Sequence, residues 1–498
     1  MINSPPAEIV APEAGALSES LRSFGYSTQA ALADLVDNSV SAGAKRIWIH
    51  FEWAGSDSWI AVRDDGNGMA PDALRDAMRA GSRSPLSERP PRDLGRFGLG
   101  LKTASFSQCR RLTVATKSVG GPPSTRRWDL DHIAATGEWW LLHGAASGSE
   151  SRLVGQPELP SGTTVLWEQL DRLVGQADVR DQRAHARFLE MVDVVDVHLA
   201  MLFHRFLERG LQMWLNGRPV RAWDPFMQRD PATQRLAPET LTLHGRSITV
   251  QPYVLPHVSK LTPEAHGLGA GPEGWNAQQG FYVYRGDRLL VAGGWLGLGL
   301  VREEHYKLAR ISIDLTNAQD RDWDIDVRKS RARPPGLLRD DLRRISRVTR
   351  QRASEVFRHR GKVLARSTSQ DYVFIWNRLQ REGRVSYRVN RSHPLVEAAL
   401  EQEPDPGAVR AMLRLLEETL PVPTILIDAA EHPDAQAQPF EGSPPAAVMD
   451  VLLSAYRQLR RRGLSPSQSR ERLASMDPFQ DRAALIETLN DQEAEGHA

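Results

Sequence analysis

The segment ALADLVDNSVSAGA at residues 31–44 constrains the fold of this chain most strongly. Its apolar spacing predicts a helix that Ser27 or Thr28 caps, yet Asp34 and Asn38 stand four residues apart and therefore lie on one face of that helix. A carboxylate and an amide on one face either point into solvent or address a single ligand. The motifs that follow decide between these two interpretations.

A predicted strand ends within residues 63–69, RDDGNGM, where Asp64, Gly66 and Gly68 form a D-x-G-x-G arrangement. The carboxylate of such a motif can accept a hydrogen bond from an exocyclic amine, and its glycines let the backbone approach a planar ring. A plain turn explains the same residues equally well when the motif is taken alone.

A second glycine motif, LGRFGLGLKTAS at residues 94–105, places Gly95, Gly98 and Gly100 directly before a predicted helix. Its backbone N–H groups and the helix N-terminus offer a site to an anion. Residues 81–98 are rich in Pro, Gly and charge, which indicates either a lid over a site or a flexible connection.

The order of these motifs resembles that of the GHKL ATPases, the superfamily of gyrase B subunits, MutL proteins, heat-shock chaperones, histidine kinases and MORC proteins. The chain runs from the acid-amide helix through D-x-G-x-G, the lid and the glycine loop to a strand that begins Gly162-Thr163-Thr164. The resemblance covers residues 25–170. MutL-like proteins write the first motif as E-L-V-E-N-S-x-D-A-G-A, where this chain has DLVDNSVSAGA.

This resemblance implies a Bergerat-type α/β sandwich that binds ATP and Mg²⁺. It assigns Asp34 to the general base that activates the attacking water, Asn38 to Mg²⁺, and Asp64 to the amino group of adenine. One amide oxygen suits Mg²⁺, which takes few protein ligands and bridges phosphates. The other residues that the resemblance assigns to nucleotide binding are Gly66, Gly68, Met69, Gly95, Gly98, Gly100, Leu101, Lys102 and Thr163.

Two positions depart from the superfamily pattern. Asp34 stands where Glu is usual, so its side chain is one methylene shorter, and a misplacement of about 1 Å can slow a reaction on the order of 10²-fold. Either the helix sits closer to the nucleotide or hydrolysis is slow. Ser41 replaces the Asp that usually follows the motif, which puts one contact of this helix in doubt.

A second likeness extends to about residue 335. The segments LNGRPVRAWDPF, YVLPHVSK and GFYVYRGDRLLVAGGW resemble the transducer module of bacterial MORC-like ATPases. Such modules supply a lysine to the γ-phosphate, and Lys329 in DIDVRKS occupies the matching place. Arg328 or Arg331 could serve instead, or the three could belong to an ordinary basic surface.

The fold class expected from these segments is α+β. Residues 1–178 are predicted to form the ATP-binding domain, 179–335 a transducer-like α+β domain, and 336–498 a mainly helical C-terminal region. A single helix is expected over 180–209. In a further helix after Pro334-Pro335-Gly336, an apolar side is predicted from Leu338, Leu342, Ile345 and Val348.

The MORC likeness implies an ATP-dependent homodimer that closes as a clamp, with DNA as its expected client and defence-associated proteins as candidate partners. The net charge is only +1, so a nucleic-acid surface has to be a local patch. One such patch is the basic run Arg343, Arg344, Arg347, Arg350, Arg352, Arg358 and Arg360, which could equally be a solvated helix face.

The location expected for this chain is the cytoplasm, away from membranes. The N-terminal residues lack the features of a signal peptide, Cys109 is the only cysteine, and no stretch offers the roughly 18 apolar residues of a membrane span.

Three other functions are open at this stage. A histidine kinase shares the ATP fold but needs a phosphoacceptor histidine before it, and no histidine precedes His50. A topoisomerase subunit needs a cleavage partner that this sequence lacks. A nucleotide-gated scaffold or chaperone-like protein with negligible turnover is the main alternative, because the shorter Asp34 favours it.

Overall fold

The structure is a computed structural model, and it contains two compact units, Met1–Gly361 and Lys362–Ala498. The residues it describes are 12–23, 25–79, 100–153, 159–320, 322–324, 332–358, 373, 375–381, 384–402, 406–422, 424–425, 440, 445–476, 478–479 and 482–489. No helix within these ranges combines the length and apolar character that a membrane crossing requires.

Eight of the described strands form a mixed sheet, here called the first sheet. In chain order they are β1 Arg46–Glu52, β2 Trp59–Asp64, β3 Arg111–Lys117, β4 Ser124–Asp129, β5 Leu142–His143, β6 Gly162–Glu168, β7 Gln212–Leu215 and β8 Arg218–Pro219. Their spatial order is β5-β4-β3-β6-β2-β1-β7-β8, and only the β1–β7 pair is parallel among these strands. β1 and β2 pair antiparallel and lie inside the sheet rather than at its edge.

Helices cover one face of the first sheet. They include α1 Ala14–Arg22, α2 Thr28–Ser41, α3 Pro71–Met78, α4 Gly100–Gln108 and α5 Leu130–Thr136. Alternation along β1 turns Ile47, Ile49 and Phe51 toward the apolar core that these helices share, while Trp48 faces the other side and stacks on Trp214. This α/β arrangement holds α2 directly against the strands that carry the D-x-G-x-G motif.

The helix predicted over 180–209 is broken at Phe203. The structure has α6 Gln182–Leu202 followed by α7 His204–Glu208, with the fully buried Phe203 between them. A break in the helix lets Phe203 enter the core while α7 turns toward the second sheet, where Arg205 forms an ion pair with Asp314.

A second sheet contains β9 Gln234–Arg235, β10 Glu239–Leu243, β11 Arg246–Val254, β12 Gly280–Arg285, β13 Arg288–Ala292 and β14 Ala309–Leu315. The main path is β10-β11-β14-β12-β13, and β12 lies parallel to β14. Both faces of β12 are buried: Tyr282 and Tyr284 join the core of the first sheet, and Phe281 and Val283 join a separate core. β12 is therefore enclosed on both of its faces.

Two helices accompany the second sheet, α8 Pro263–Ala270 and α9 Arg339–Arg358. The sequence interpretation placed α9 in the C-terminal region, and the structure packs its apolar side into the second sheet's separate core. Val348 is 57% exposed, contrary to the prediction, because the helical period continues from Ile345 to the buried Thr349 and Ala353.

The second unit combines helices with one hairpin. Its helices are α10 Pro394–Gln402, α11 Pro406–Glu418, α12 Pro445–Arg461, α13 Pro466–Ala474 and α14 Ala483–Glu487. The hairpin pairs β15 Trp376–Arg381 with β16 Arg384–Val389, and sequence reasoning did not anticipate it. The described part of this unit is mainly helical, in agreement with the α+β class expected for the whole chain.

The boundaries predicted at 178/179 and 335/336 stay a prediction. The β7–β8 pair, assigned from sequence to the second domain, hydrogen-bonds to β1 at the edge of the first sheet. The first sheet thus includes strands from both sides of the 178/179 boundary.

Candidate functional site

Three polar residues lie side by side where neighbouring strands of the first sheet meet. Asp64 at the end of β2 pairs with Thr163 near the start of β6, and Thr163 pairs with Thr116 near the end of β3. Directly paired residues share a face of the sheet, so these side chains lie together. The hydroxyl oxygens of Thr116 and Thr163 are 3.0 Å apart, and Thr116 Oγ1 accepts a hydrogen bond from the Met69 amide at 3.0 Å.

The carboxylate of Asp64 is buried and receives hydrogen bonds. The Ser39 hydroxyl on α2 donates to Oδ2 at 2.8 Å, and the Gly66 amide donates to Oδ1 at 2.9 Å. Burial raises the pKa of Asp64, although the hydrogen bonds from Ser39, Gly66 and the Thr163 backbone oppose that shift. A carboxylate offers about four acceptor positions, so Asp64 can still accept a hydrogen bond from a ligand amine.

The glycines of this motif permit close backbone approach. Gly68 has φ +64°, and a Cβ there would lie 1.9 Å from the carbonyl oxygen of Lys117. A Cβ on Gly66 would lie 2.9 Å from Asp64 Oδ1 and 3.0 Å from Ala42. Side chains at these positions would push the turn away from the sheet end, so the motif is not an arbitrary turn.

The two polar residues on the shared face of α2 have different surroundings. Asp34 is only 5% exposed, and its Oδ2 accepts a hydrogen bond from the Tyr26 hydroxyl at 3.1 Å. The same oxygen lies 3.5 Å from where a Cβ on Gly100 would stand, so it faces the first residue of α4. Asn38, four residues later on the same helical face, is exposed although residues 31–37 and 39 are buried.

The arrangement fits Mg²⁺ only together with a ligand that supplies more oxygens. Among the described residues, no group of three or more His, Cys, Asp and Glu side chains could hold a metal. Asn38 offers one amide oxygen, and Mg²⁺ is commonly bound through one or two protein groups plus substrate phosphates. Asn38 could therefore hold Mg²⁺ only together with a ligand such as a nucleotide, whose phosphates supply further oxygens.

Lys102 lies in the first turn of α4 and is almost fully buried. Its ammonium group donates to the carbonyl oxygen of Ala77 at 2.8 Å, which links α4 to the end of α3. Burial lowers the pKa of Lys102 to about 8. The predicted contact of Lys102 with phosphate stays a prediction, and so does the nucleotide contact of the half-buried Leu101.

Several predicted site residues lie outside the described residues. They are Gly95 and Gly98 of the glycine loop, the lid residues 81–98, and the basic residues Arg328, Lys329 and Arg331. Their assignments stay as predicted from the sequence.

The arginines of α9 have partners within the protein. Arg343 pairs with Asp340, Arg344 with Glu239 and Arg352 with Glu355. Arg350 has only 11% of its side chain exposed, and its guanidinium lies 3.8 Å from the centre of the Tyr306 ring. These partners reduce the positive potential of the predicted basic patch, while Arg347 is exposed.

Sequence reasoning missed Ser39, Tyr26 and Thr116. Ser39 is separated from Asp64 by 25 positions and Thr116 from Thr163 by 47, so no local spacing reveals these contacts. A serine directly after Asn38 was the one available signal, because a polar residue on the buried side of a helix needs a partner.

Comparison with known proteins agrees with this geometry. Residues 26–155 match the family described as "Histidine kinase-, DNA gyrase B-, and HSP90-like ATPase". The chain is 36% identical over 90 residues to ATPase morc-1 of Caenorhabditis elegans, a match that covers 18% of this chain and 10% of that protein. It is 30% identical over 166 residues to DNA mismatch repair protein MutL of Rhizorhabdus wittichii, covering 33% of this chain and 25% of that protein.

A MutL protein of Aliivibrio fischeri extends the likeness to 270 residues at 26% identity, which is 52% of this chain and 36% of that protein. The chain thus spans between 10% and 36% of the length of these relatives. The predicted resemblance to MORC-like and MutL-like GHKL proteins is confirmed, and it is carried by residues 26–155.

We predict that Gly68→Ala disrupts the D-x-G-x-G turn, because its Cβ would meet the Lys117 carbonyl at 1.9 Å. The matched control is Gly137→Ala, since Gly137 has φ +71° and nothing within 4 Å of its Cβ position. Both variants carry the strain of a left-handed alanine, about 1–2 kcal/mol. Thermal denaturation should show a clearly larger loss of stability for Gly68→Ala, and equal losses would contradict the assigned close approach.

We also predict that Asp64→Asn lowers ATP affinity about ten- to a hundredfold at neutral pH, because a mismatched hydrogen bond to a charged group is worth about 1.5–3 kcal/mol. The advantage of the native protein should shrink as the pH falls through the raised pKa of Asp64, since protonation removes the acceptor. Calorimetric titration of both proteins across acidic pH measures the ratio of their ATP affinities. The protonation of ATP itself cancels in this ratio. Equal affinities at neutral pH would remove Asp64 from the site.

Proposed function

We propose that this chain, which carries a GHKL-type ATPase domain at residues 26–155, binds Mg-ATP and hydrolyses it to ADP and phosphate. One observation carries the proposal: the buried carboxylate of Asp64 is bonded to Ser39 on the same helix that presents Asp34 and Asn38. One helix and the strand end beside it can therefore offer a single bound molecule an acceptor for its amine, a ligand for its metal ion and a base.

In this proposal the nucleotide base lies at the ends of β2, β3 and β6. Asp64 accepts a hydrogen bond from the adenine amino group, and the Thr116–Thr163 hydroxyl pair and the Met69 segment line the same end. The phosphates extend toward Gly100, where α4 begins. The N-terminus of a helix attracts anions through its N–H groups and its dipole.

The proposed reaction is attack of water on the γ-phosphorus. The new phosphorus–oxygen bond forms as the bond to the β-phosphate oxygen of ADP breaks, and Asp34 accepts the proton of the water. The hydrogen bond from Tyr26 fixes the direction of the Asp34 carboxylate. Mg²⁺, held by Asn38 and the phosphates, would neutralise charge on the phosphate oxygens.

The proposal assigns Lys329 to the γ-phosphate as a second cation, with Arg328 and Arg331 as alternatives. A preorganised donor of this kind contributes about 3–4 kcal/mol to stabilisation of the transition state. In this proposal a residue of the predicted domain 179–335 acts in the ATP hydrolysis of the predicted domain 1–178.

We further propose an ATP-dependent homodimer that closes on DNA. The supports are the likeness to ATPase morc-1 and to proteins named for DNA mismatch repair, and the basic residues of α9. Action beside defence-associated partners rests on the MORC-like resemblance alone. A cytoplasmic location is proposed because the single cysteine, Cys109, is a buried thiol.

A second candidate function is a nucleotide-gated scaffold that binds ATP with negligible turnover. The observation that favours it is the Asp at position 34, one methylene shorter than the usual Glu. The shorter reach would leave the attacking water farther from its base.

Asp34→Ala tests the two functions against each other. We expect ATP turnover to fall about 10²- to 10⁴-fold, because the general base is removed, while ATP affinity stays within a few-fold. Phosphate release measures turnover, and Asp72→Ala, whose carboxylate is 88% exposed on α3, is the control that should keep full activity. Background turnover in the native protein with intact ATP binding would establish the scaffold instead.

The DNA interaction is tested on the exposed side of α9. We expect Arg344→Gln with Arg347→Gln to weaken duplex binding in the presence of ATP and to lower the salt slope by up to about one unit for each arginine that pairs with a phosphate. Arg350 is unsuited to this test because it is buried against Tyr306. The matched control, Arg183→Gln with Arg187→Gln on α6, removes equal charge, and identical slopes in both variants would exclude α9 as the DNA-binding surface.

A further inference from the structure

Asp37 is a buried carboxylate on α2 that neither motif analysis nor the proposed reaction uses. It stands between Asp34 and Asn38 in sequence, and it is 1% exposed. Successive helical residues are turned by about 100°, so Asp37 is directed to one side of Asn38 around the helix. Its Oδ1 lies 2.9 Å from Nε of Arg288, and the two groups form an ion pair.

Arg288 belongs to the second sheet, where it is the first residue of β13. It is 4% exposed, and its guanidinium also donates to the carbonyl oxygen of Leu289. The guanidinium lies 4.8 Å from the centre of the Phe203 ring. The position of Arg288 is thus fixed by the second sheet and by the α6–α7 break, and its charge is directed at α2.

The neighbourhood of this ion pair is not continuously packed. Toward its C-terminal end, α2 borders a cleft of about 620 Å³ that separates Val40 and Ser41 from the Gly286–Asp287 turn directly before Arg288. The last turn of α2 therefore has open space on the side of the second sheet, and the ion pair spans the junction beside that space.

Two bonds thus link α2 to the two sheets, on the residues that flank Asn38. Ser39 bonds to Asp64 of the first sheet, and Asp37 bonds to Arg288 of the second. Side-chain atoms lie about 5–6 Å from a helix axis, so a rotation of α2 by about 10° would move Asp34 and Asn38 by about 1 Å. A displacement of that size can slow a reaction on the order of 10²-fold.

We propose that Arg288 is a positioning residue, which holds the rotation of α2 through Asp37 and thereby aims Asp34 and Asn38 at the metal-nucleotide. This inference rests on the proposed ATP-binding function and deepens it. Through this pair the orientation of the second sheet regulates metal ligation and turnover, independently of the Lys329 contact. The adenine end lies on the first sheet, so base recognition by Asp64 does not depend on Arg288.

The experiment compares the native chain with Asp37→Asn, Arg288→Gln, Arg288→Lys and the double variant Asp37→Asn/Arg288→Gln. The first readout is the ratio of ATP affinity with Mg²⁺ to ATP affinity in EDTA, because only the former involves Asn38. We expect this ratio to fall at least fivefold in the single variants, with affinity in EDTA within about threefold of native. We expect kcat to fall about ten- to a hundredfold where the native chain turns over.

Arg288→Lys keeps the charge and should recover part of both losses. The double variant should be no worse than the poorer single variant, because the two residues act as one unit. The control is Arg22→Gln, which breaks the ion pair of another buried arginine: Arg22 is 1% exposed and bonds Asp171 at 2.7 Å without contacting α2 in any described hydrogen bond or ion pair. It should lower the thermal midpoint while leaving the Mg²⁺ ratio and kcat unchanged.

The possible results separate the two proposals. If the Asp37 and Arg288 variants lose stability like Arg22→Gln and keep the native Mg²⁺ ratio and kcat, the pair is merely structural and this inference fails, while the proposed function stands. If the native chain binds no ATP, the proposed function fails and this inference fails with it. If the native chain binds ATP without turnover, the ratio of ATP affinity with Mg²⁺ to ATP affinity in EDTA is the only readout that tests the role of Arg288.

Discussion

The buried carboxylate of Asp64 is the group on which the arrangement of the candidate site depends. A carboxylate at this depth is costly unless its oxygens receive hydrogen bonds, and Asp64 receives them from a helix and from its own glycine turn. The bond from Ser39 also fixes the distance of α2 from the sheet end. The carboxylate proposed to recognise an amine therefore also sets the position of the helix that carries Asn38 and Asp34.

The glycine turn follows from the same constraint. The segment after Asp64 has to leave the sheet without covering the acceptor, and it does so by passing within van der Waals range of Ala42 and the Lys117 carbonyl. Only glycine permits this path at position 68, where φ is positive and the neighbouring carbonyl would overlap a Cβ. The glycines of D-x-G-x-G are thus required by the packing of the fold as well as by the proposed ligand contact.

Much of the fold and the candidate site residues could be predicted from the sequence, because both follow from patterns among residues that are close in sequence. The caps, periods and glycines indicated α2, the strand that ends at the D-x-G-x-G motif, and the positions of Asp34, Asn38 and Asp64. Contacts between distant segments could not be predicted in this way. Asp37 and Arg288 are 251 positions apart, and β7 joins β1 although a 21-residue helix and the 178/179 boundary separate it from the other strands. The sequence thus indicated the residues proposed as metal ligand and base, whereas it did not reveal the bonds of α2 to Tyr26, Asp64 and Arg288.

The Asp at position 34 shows how these two kinds of information combine. From sequence alone, a shorter side chain left either a closer helix or slow hydrolysis open. The structure places Asp34 Oδ2 within 3.5 Å of a Cβ position on Gly100, at the end of α4 where phosphates are proposed to lie. The Tyr26 hydroxyl then restricts the short side chain to that direction. A closer approach of α2 and α4 to the phosphates would offset the missing methylene, and this is the arrangement that the proposed hydrolysis requires of an Asp as the base.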